Sequence, residues 1–448
     1  MESPLYEHLT QYINKNRISF AMPGHKNGRG INKDLLSVDV TELSGTENLH
    51  NPGKYVQKSQ DLLSKLYGSE KSYIITGGST TAIQAMICSA VKPGGTLLAS
   101  ANCHMSVINI CALVGINIRF IPKSNIEKFA VPSGDCSIEK YITDDVCAVI
   151  LTSPNYYGIC SNIKNISSEC HKRKIPLLVD EAHGPHFISD DRLPETAVKY
   201  ADAVCHSAHK TLNALTGSAY LHLNSGYINM ELAKRALYAF ETSSPSYVIA
   251  SSADIARAEL ESENGWSKCI DMCIKYREKL KDAGINVLKN DDITRVVISL
   301  YDFGISGFEA EKELSDKNID IEMADLFNIV LIVTPSNTCE DMEKLFSVLV
   351  DLVNGRKKTK SNIKIHSPMI CKEKLYPQKA FFSKQEKVDL ENSIGRVSCS
   401  TVVPYPPGIP VIYTGEKIRK EQIEYIYKID KAGAEITGID NGMIYVME

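Results

Sequence analysis

The sequence predicts an α/β protein: a large domain on a mostly parallel sheet, followed by a smaller α/β C-terminal domain. Three observations carry this. From about residue 60 to 223, short apolar segments bounded by Gly, Pro, Asn or Ser alternate with longer helical stretches. A second, shorter α/β pattern runs from 295 to 353. The chain has 448 residues, too many for one simple core, so two or three domains are expected.

Residues 1–55 hold little apolar periodicity but many Gly, Pro, His and Asn residues, as in Pro23-Gly24-His25-Lys26 and Asn48-Leu49-His50-Asn51-Pro52-Gly53. They read as an arm packed over the rest. The strand candidates that follow are 72–76, 96–100, 148–152, 177–180, 203–207 and 218–223, with helices such as 80–91 and 106–114 between them. Strands joined by helices run parallel, and such sheets bind ligands at their carboxyl ends. A long helical region over 228–283 closes the large domain, placed at 56–285. The second pattern then reads strand 295–301, helix 307–317, strand 328–334 and helix 340–353, opening a C-terminal domain over 286–448. Within it, Arg356-Lys357-Lys358-Thr359-Lys360 reads as part of a solvated linker near 356–364, and a final helix is expected at 417–432.

Composition narrows the function. Fifty basic against 54 acidic residues give a net charge of −4, which offers no footprint for nucleic acid or an anionic membrane. The N-terminus lacks the apolar core of a signal peptide, and no run approaches the roughly 18 apolar residues that span a bilayer. Thirteen scattered cysteines, an odd number without CxxC spacing, argue against a disulfide framework or a zinc site. A cytoplasmic enzyme acting on a small molecule, with no metal, is the expectation.

Four segments lie where strands of the first sheet end. Gly77-Gly78-Ser79-Thr80 leads a strand into a helix, where backbone N–H groups and hydroxyls suit a phosphate, although ordinary turn chemistry is the commoner meaning of such a loop. Asp180 ends the apolar run Leu177-Leu178-Val179, a costly place for a carboxylate without a cation. A protonated pyridine nitrogen would be such a cation; an N-cap is the alternative role. The following Glu181-Ala182-His183-Gly184 invites comparison with DEAH helicases, but the chain has no GxxxxGK[ST] loop. Ser207-Ala208-His209-Lys210 follows the strand at 203, and a lysine there is either a loop residue or a Schiff-base lysine. His104 lies just past the strand at 96–100, where an imidazole could stack on a flat ring. In this order, phosphate loop, histidine, aspartate and lysine form the arrangement that a pyridoxal 5'-phosphate enzyme needs.

At these motifs the chain resembles the Orn/Lys/Arg decarboxylase family, pyridoxal-phosphate enzymes of the aspartate-aminotransferase fold (fold type I, PLP-dependent transferase-like). Pro23-Gly24-His25-Lys26, Asp39-Val40-Thr41-Glu42, Gly78-Ser79-Thr80, Asp180-Glu181-Ala182-His183-Gly184 and Ser207-Ala208-His209-Lys210-Thr211-Leu212 carry the likeness. So do Thr242-Ser243-Ser244-Pro245-Ser246-Tyr247 and Pro404-Tyr405-Pro406-Pro407-Gly408-Ile409-Pro410 with Gly415-Glu416.

The resemblance implies Lys210 as Schiff-base lysine, Asp180 as partner of the pyridine nitrogen and His104 as stacking residue. Gly78, Ser79, Thr80, Ser207 and His209 would hold the phosphate, with Ala182 and His183 beside the cofactor. It implies decarboxylation of a basic L-amino acid (arginine, lysine or ornithine, with arginine slightly favoured), Lys210 and His209 being candidates to return the proton. It also implies a homodimer with active sites at the interface, in a short form without the extra N-terminal domain. Ser243 and Ser244 would reach the neighbour's cofactor phosphate. The departures are Ala101 and Met105, where basic residues are usual, and Gly217, where a larger residue is. Transamination or elimination on the same fold is the alternative activity, and a silent cofactor-binding paralogue another.

Overall fold

The computed structural model describes residues 18–20, 24–26, 29–30, 40, 42, 47–122, 124–134, 137–224, 226–262, 265–358, 373–405 and 408–448. Much of the 1–55 segment, residues 359–364 of the expected linker, and Pro23, Asp39, Thr41, Pro406 and Pro407 of the quoted motifs therefore lie outside the described residues.

A seven-stranded sheet organises the molecule. Its strands are β1 (Lys71–Ile75), β2 (Thr96–Ser100), β3 (Asn117–Ile121), β4 (Val146–Thr152), β5 (Leu177–Asp180), β6 (Ala203–His206) and β7 (Ala219–Leu223). They lie in the order β1-β7-β6-β5-β4-β2-β3, and only β7 runs antiparallel to its neighbours. Alternate residues feed two apolar cores, as period-two side chains in a sheet buried on both faces must. Leu98, Val149, Leu151, Leu177, Val179 and Val204 face one core; Leu97, Ala99, Ala148, Ile150, Leu178 and Ala203 face the other. Helices α1 (Lys54–Tyr67), α2 (Gly78–Ala90), α3 (Met105–Val114) and α4 (Ile163–Lys172) connect or precede the strands, and α5 (Ala208–Thr211) is a single turn after β6.

Six of the seven strands match expected ones. The sequence reading passed over β3, because Asn117 and Arg119 interrupt its apolar run. It is an edge strand with a half-buried face, and Arg119 is paired there with Asp145. The expected helical region over 228–283 resolves into α6 (Met230–Phe240), α7 (Tyr247–Ser262) and α8 (Gly265–Asp282). The break after α6 falls at Ser243-Ser244-Pro245, where proline supplies no backbone N–H.

Beyond α8, β8 (Asn286–Val287), β9 (Arg295–Ser299), β10 (Met323–Ala324) and β11 (Ile329–Ile332) make a four-stranded antiparallel sheet. Helices α9 (Gly307–Asp316) and α10 (Cys339–Val353) cover it, each opened by a capping box. Val296, Ile298, Leu314 and Leu349 join the same apolar core as the large sheet. A separate core of Leu390, Val402, Ile412, Ile423, Ile426, Ile444 and Val446 lies under α11 (Lys420–Lys431). This last region also docks on the large sheet: Tyr413 donates its hydroxyl to the Ala101 carbonyl at 2.6 Å and packs on Phe120. Two-residue strands at Ile18–Ser19 and Ile319–Asp320 pair in parallel, and Gly24 donates its N–H to the His209 carbonyl at 2.7 Å. The described part of the arm thus packs against the Lys210 turn.

Candidate active site

The singled-out groups gather at the carboxyl edge of the central sheet. After β1 the chain turns through Gly77 into α2, whose first residues are Gly78, Ser79 and Thr80. The N-terminus of this 13-residue helix favours an anion through its exposed N–H groups and its dipole. Gly78 sits at φ +77° and donates its N–H to the Gly217 carbonyl at 2.7 Å. Gly217 in turn has φ +96°, and a Cβ there would lie 3.1 Å from the Thr76 carbonyl oxygen. A side chain at 217 would crowd this loop, which gives its glycine a physical reason.

Lys210 projects from α5, directly behind β6. Its Nζ lies 3.0 Å from His183 Nε2 and 5.5 Å from the centre of the Tyr156 ring. Burial pushes the Lys210 amine down from the ordinary lysine range, Asp180 and Glu322 oppose this, and Arg295 reinforces it. His183 is driven well below the usual imidazole range by burial, then by the charges of Lys210 and Arg295. Its Nδ1 accepts from Arg295 Nη2 at 2.9 Å.

Asp180 is buried at the end of β5, and its Oδ1 accepts from the Ala182 N–H at 3.2 Å and the Cys205 thiol at 3.4 Å. Oδ2 accepts no hydrogen bond from the described residues. His104 caps α3, its Nδ1 accepting from the Ser106 N–H at 3.2 Å. Burial lowers the His104 pKa, with Asp180 acting against it. The missing charges beside it have local explanations in part: Ala101 is buried with its carbonyl taken by Tyr413, while Met105 is exposed at the start of α3. Nothing in the structure explains why Met105 is not basic.

Ser79, His104, Asp180, Ala182, His183 and Lys210 line one cavity. Ser207 is fully buried and reaches it through Ser79, oxygen to oxygen at 3.4 Å. Gly78 and Thr80 belong to the α2 loop without lining the cavity. His209 also stays outside the lining: its Nδ1 is spent on the Ser218 carbonyl at 3.0 Å, and burial lowers its pKa.

Sequence reasoning missed Asn102, Thr152, Tyr156 and Arg295, and did not place Gly408 and Ile409 here, yet all except Arg295 line the cavity. Thr152 ends β4 and Tyr156 follows it, so the strand-end logic applied to Asp180 would have found both. Arg295 had a signal too, as a cation directly before the apolar run Val296-Val297-Ile298.

The donor set fits pyridoxal phosphate. Thr152 Oγ1 and Asn102 Oδ1 are buried at this cavity without a hydrogen-bond partner among the described residues. Such orphans call for a polar ligand. An anion-ready helix terminus, an acid with a spare oxygen and a lysine with a depressed pKa match the phosphate, ring nitrogen and aldehyde of that group.

Comparison with known proteins places the architecture among fold type I enzymes. The lysine decarboxylase of Francisella novicida superposes with a TM-score of 0.79 over 95% of this chain and 78% of its own, at 20% identity. An alanine–glyoxylate aminotransferase from Nostoc gives a TM-score of 0.59 over 75% of this chain and 95% of its own, at 15% identity. The chain belongs to the Orn/Lys/Arg decarboxylase family: the family's major domain matches residues 3–301 and its C-terminal domain residues 362–443. It is a decarboxylase of a pyridoxal-phosphate family. Among similar proteins, the arginine decarboxylase of Bacillus anthracis is 30% identical over 98% of this chain and 95% of its own length. The Bacillus subtilis protein YaaO, described as uncharacterized, is 33% identical over 98% and 96%.

Proposed function

We infer that the chain removes the α-carboxylate of a basic L-amino acid as carbon dioxide, using pyridoxal phosphate carried by Lys210, with arginine the favoured substrate. The observation that carries this reading is the convergence of Lys210, Asp180 and His104 on one cavity that holds unpartnered polar atoms. Pyridoxal phosphate, when bound, supplies a conjugated ring that accepts the electron pair left as the bond to the carboxylate breaks. Asp180 would keep a proton on the ring nitrogen, and its buried setting strengthens that attraction. The α2 N-terminus with Ser79 and Ser207 would hold the phosphate, and His104 would cover one face of the ring. Lys210, partly open to the cavity, can give or take a proton near the substrate's α-carbon. Relatives named arginine decarboxylase at 28% to 30% identity, against 20% for lysine decarboxylases of Escherichia coli, favour arginine.

The reading extends to a homodimer. Asp180 is the only carboxylate among the described lining residues, so the far cationic end of a basic substrate needs a partner from elsewhere. Ser243 and Ser244 are exposed and outside the cavity of their own chain, available to a neighbour's site.

Assay of arginine, lysine and ornithine for carbon dioxide and amine tests the activity. Keto-acid products would replace decarboxylation with transamination. Borohydride reduction followed by peptide mapping should find the cofactor on Lys210, and a label on another lysine would refute the site. For the dimer, Lys210→Ala is mixed with a Ser243→Arg, Ser244→Arg variant. Activity should return once mass measurement confirms subunit exchange.

A further inference from the structure

The starting point is a buried chain of three side chains, and the inference rests on the proposed role of Lys210. Arg295 opens β9 and is 1% exposed, among the largest side chains so deeply buried. Its Nη2 is 2.9 Å from His183 Nδ1, and His183 Nε2 is 3.0 Å from Lys210 Nζ. Arg295 Nε and Nη1 have no hydrogen-bond partner among the described residues, so the contact with His183 is its hydrogen bond on this side.

Donor and acceptor roles follow by elimination. A guanidinium carries only donors and stays charged at any working pH, so His183 Nδ1 must accept. A neutral imidazole that accepts at Nδ1 carries its hydrogen on Nε2. That N–H points at Lys210, and an ammonium there would set one donor against another at 3.0 Å. Only the unprotonated amine, with a lone pair, completes the chain. Acting against it are Asp180, Glu322 and the Cys205 thiol, each of which favours the charged lysine. The Tyr156 ring faces the same amine, and His104 and His209 lie close enough to bear on His183.

We propose that Arg295 is a positioning residue that, through the His183 tautomer it fixes, holds the Lys210 amine unprotonated at the wall of the cofactor cavity. In cofactor uptake the amine lone pair adds to the aldehyde carbon and the carbonyl oxygen leaves as water. No oxidant or reductant is required. Arg295 touches neither reacting atom and acts by keeping the amine unprotonated, its lone pair leaving the His183 N–H as it adds to the aldehyde.

The test uses the full-length protein stripped of cofactor and given pyridoxal phosphate. The rate of uptake is followed by visible absorbance across pH, so the readout is not turnover. Wild type should show a midpoint below the ordinary lysine range. Arg295→Met should raise that midpoint by about one unit or more, slowing uptake at neutral pH about tenfold. Arg295→Lys, which keeps a donor, should restore most of the rate. In a His183→Phe background the midpoint should already be raised, and Arg295→Met should add only the smaller direct effect of its charge on Lys210. A wild-type midpoint in Arg295→Met overturns the proposal. So does an equal shift with and without His183, which would assign the effect to charge acting through space. If Arg295→Met lacks a cooperative melt, His183→Phe alone decides, an unshifted midpoint again overturning the proposal. Failure of wild type to take up cofactor at Lys210 overturns the functional reading as well, a distinct result.

Discussion

Asp180 and Glu181 are adjacent buried acids that serve two different polar clusters. Asp180 looks into the cavity, with one oxygen held by its own turn and the other accepting nothing from the described residues. Glu181 is enclosed: Oε1 accepts the Ala197 N–H at 2.9 Å, and Oε2 meets the Thr196 hydroxyl at 2.6 Å and His206 Nε2 at 2.7 Å. From there His206 Nδ1 meets His222 Nε2 at 3.1 Å, and His222 Nδ1 meets the Ser72 hydroxyl at 2.8 Å. The Tyr67 ring packs on both histidines. The second cluster satisfies itself and rigidifies the sheet; the first leaves groups over, which is how a site built for a ligand differs from a polar core.

The largest expected contrast is in turnover. Asp180→Asn should lower the rate of carbon dioxide release by about 10²–10³-fold at saturating cofactor, the usual scale for losing one aligned electrostatic group. Glu181→Gln should stay near wild type. Equal losses in the two variants would erase the distinction between the clusters.

Stability should order them the other way. Glu181→Ala strands the Thr196 hydroxyl and the Ala197 N–H in the interior, a loss of about 1–3 kcal/mol in urea unfolding. Asp180→Ala removes an acid whose partners are few, so the apoprotein should lose less, or even gain. A larger loss at Asp180 would mean that its cluster is also structural.

The glycine at 217 gives a smaller effect. Gly217→Ala places a side chain at φ +96° and 3.1 Å from the Thr76 carbonyl, costing roughly 1–2 kcal/mol in thermal unfolding. Because its carbonyl accepts from Gly78, the variant should also bind pyridoxal phosphate more weakly, as equilibrium dialysis would show. Unchanged affinity would separate this turn from the anion loop.

Much of this was legible in the sequence, for reasons the two clusters illustrate. Strands buried on both faces announce themselves as apolar runs with sharp ends, and their last residues gave Asp180, His104 and Lys210 a common address. β3 escaped because an edge strand shows polar residues on one side. Arg295 and Gly408 escaped for another reason: they approach the cavity region from β9 and from the C-terminal region, which only tertiary packing brings together. Nor could sequence tell that Glu181, one residue from Asp180, turns away from the chemistry. Its partners Thr196, Ala197 and His206 lie 15 to 25 positions on.

A last contrast is a pH dependence that reports the charge of Glu181. Burial raises its pKa from 4.5 to about 8, against the opposing hydrogen bonds from Thr196 and Ala197. Between those values the folded protein keeps a proton that the unfolded chain has released. Stability from this group is therefore full below about pH 4.5 and declines as pH rises to about 8. Glutamine has no proton to lose, so the unfolding free energy of wild type minus that of Glu181→Gln should fall across this window and level off on both sides. His206, held down to about 3 by burial, has the opposite slope between there and its ordinary 6.5, but it is present in both proteins and largely cancels. Urea unfolding at a series of pH values measures the difference. Should wild type instead gain on Glu181→Gln as pH rises, the carboxyl is ionised in the fold. The neutral hydrogen-bonded cluster would then be an ion pair with a charged His206.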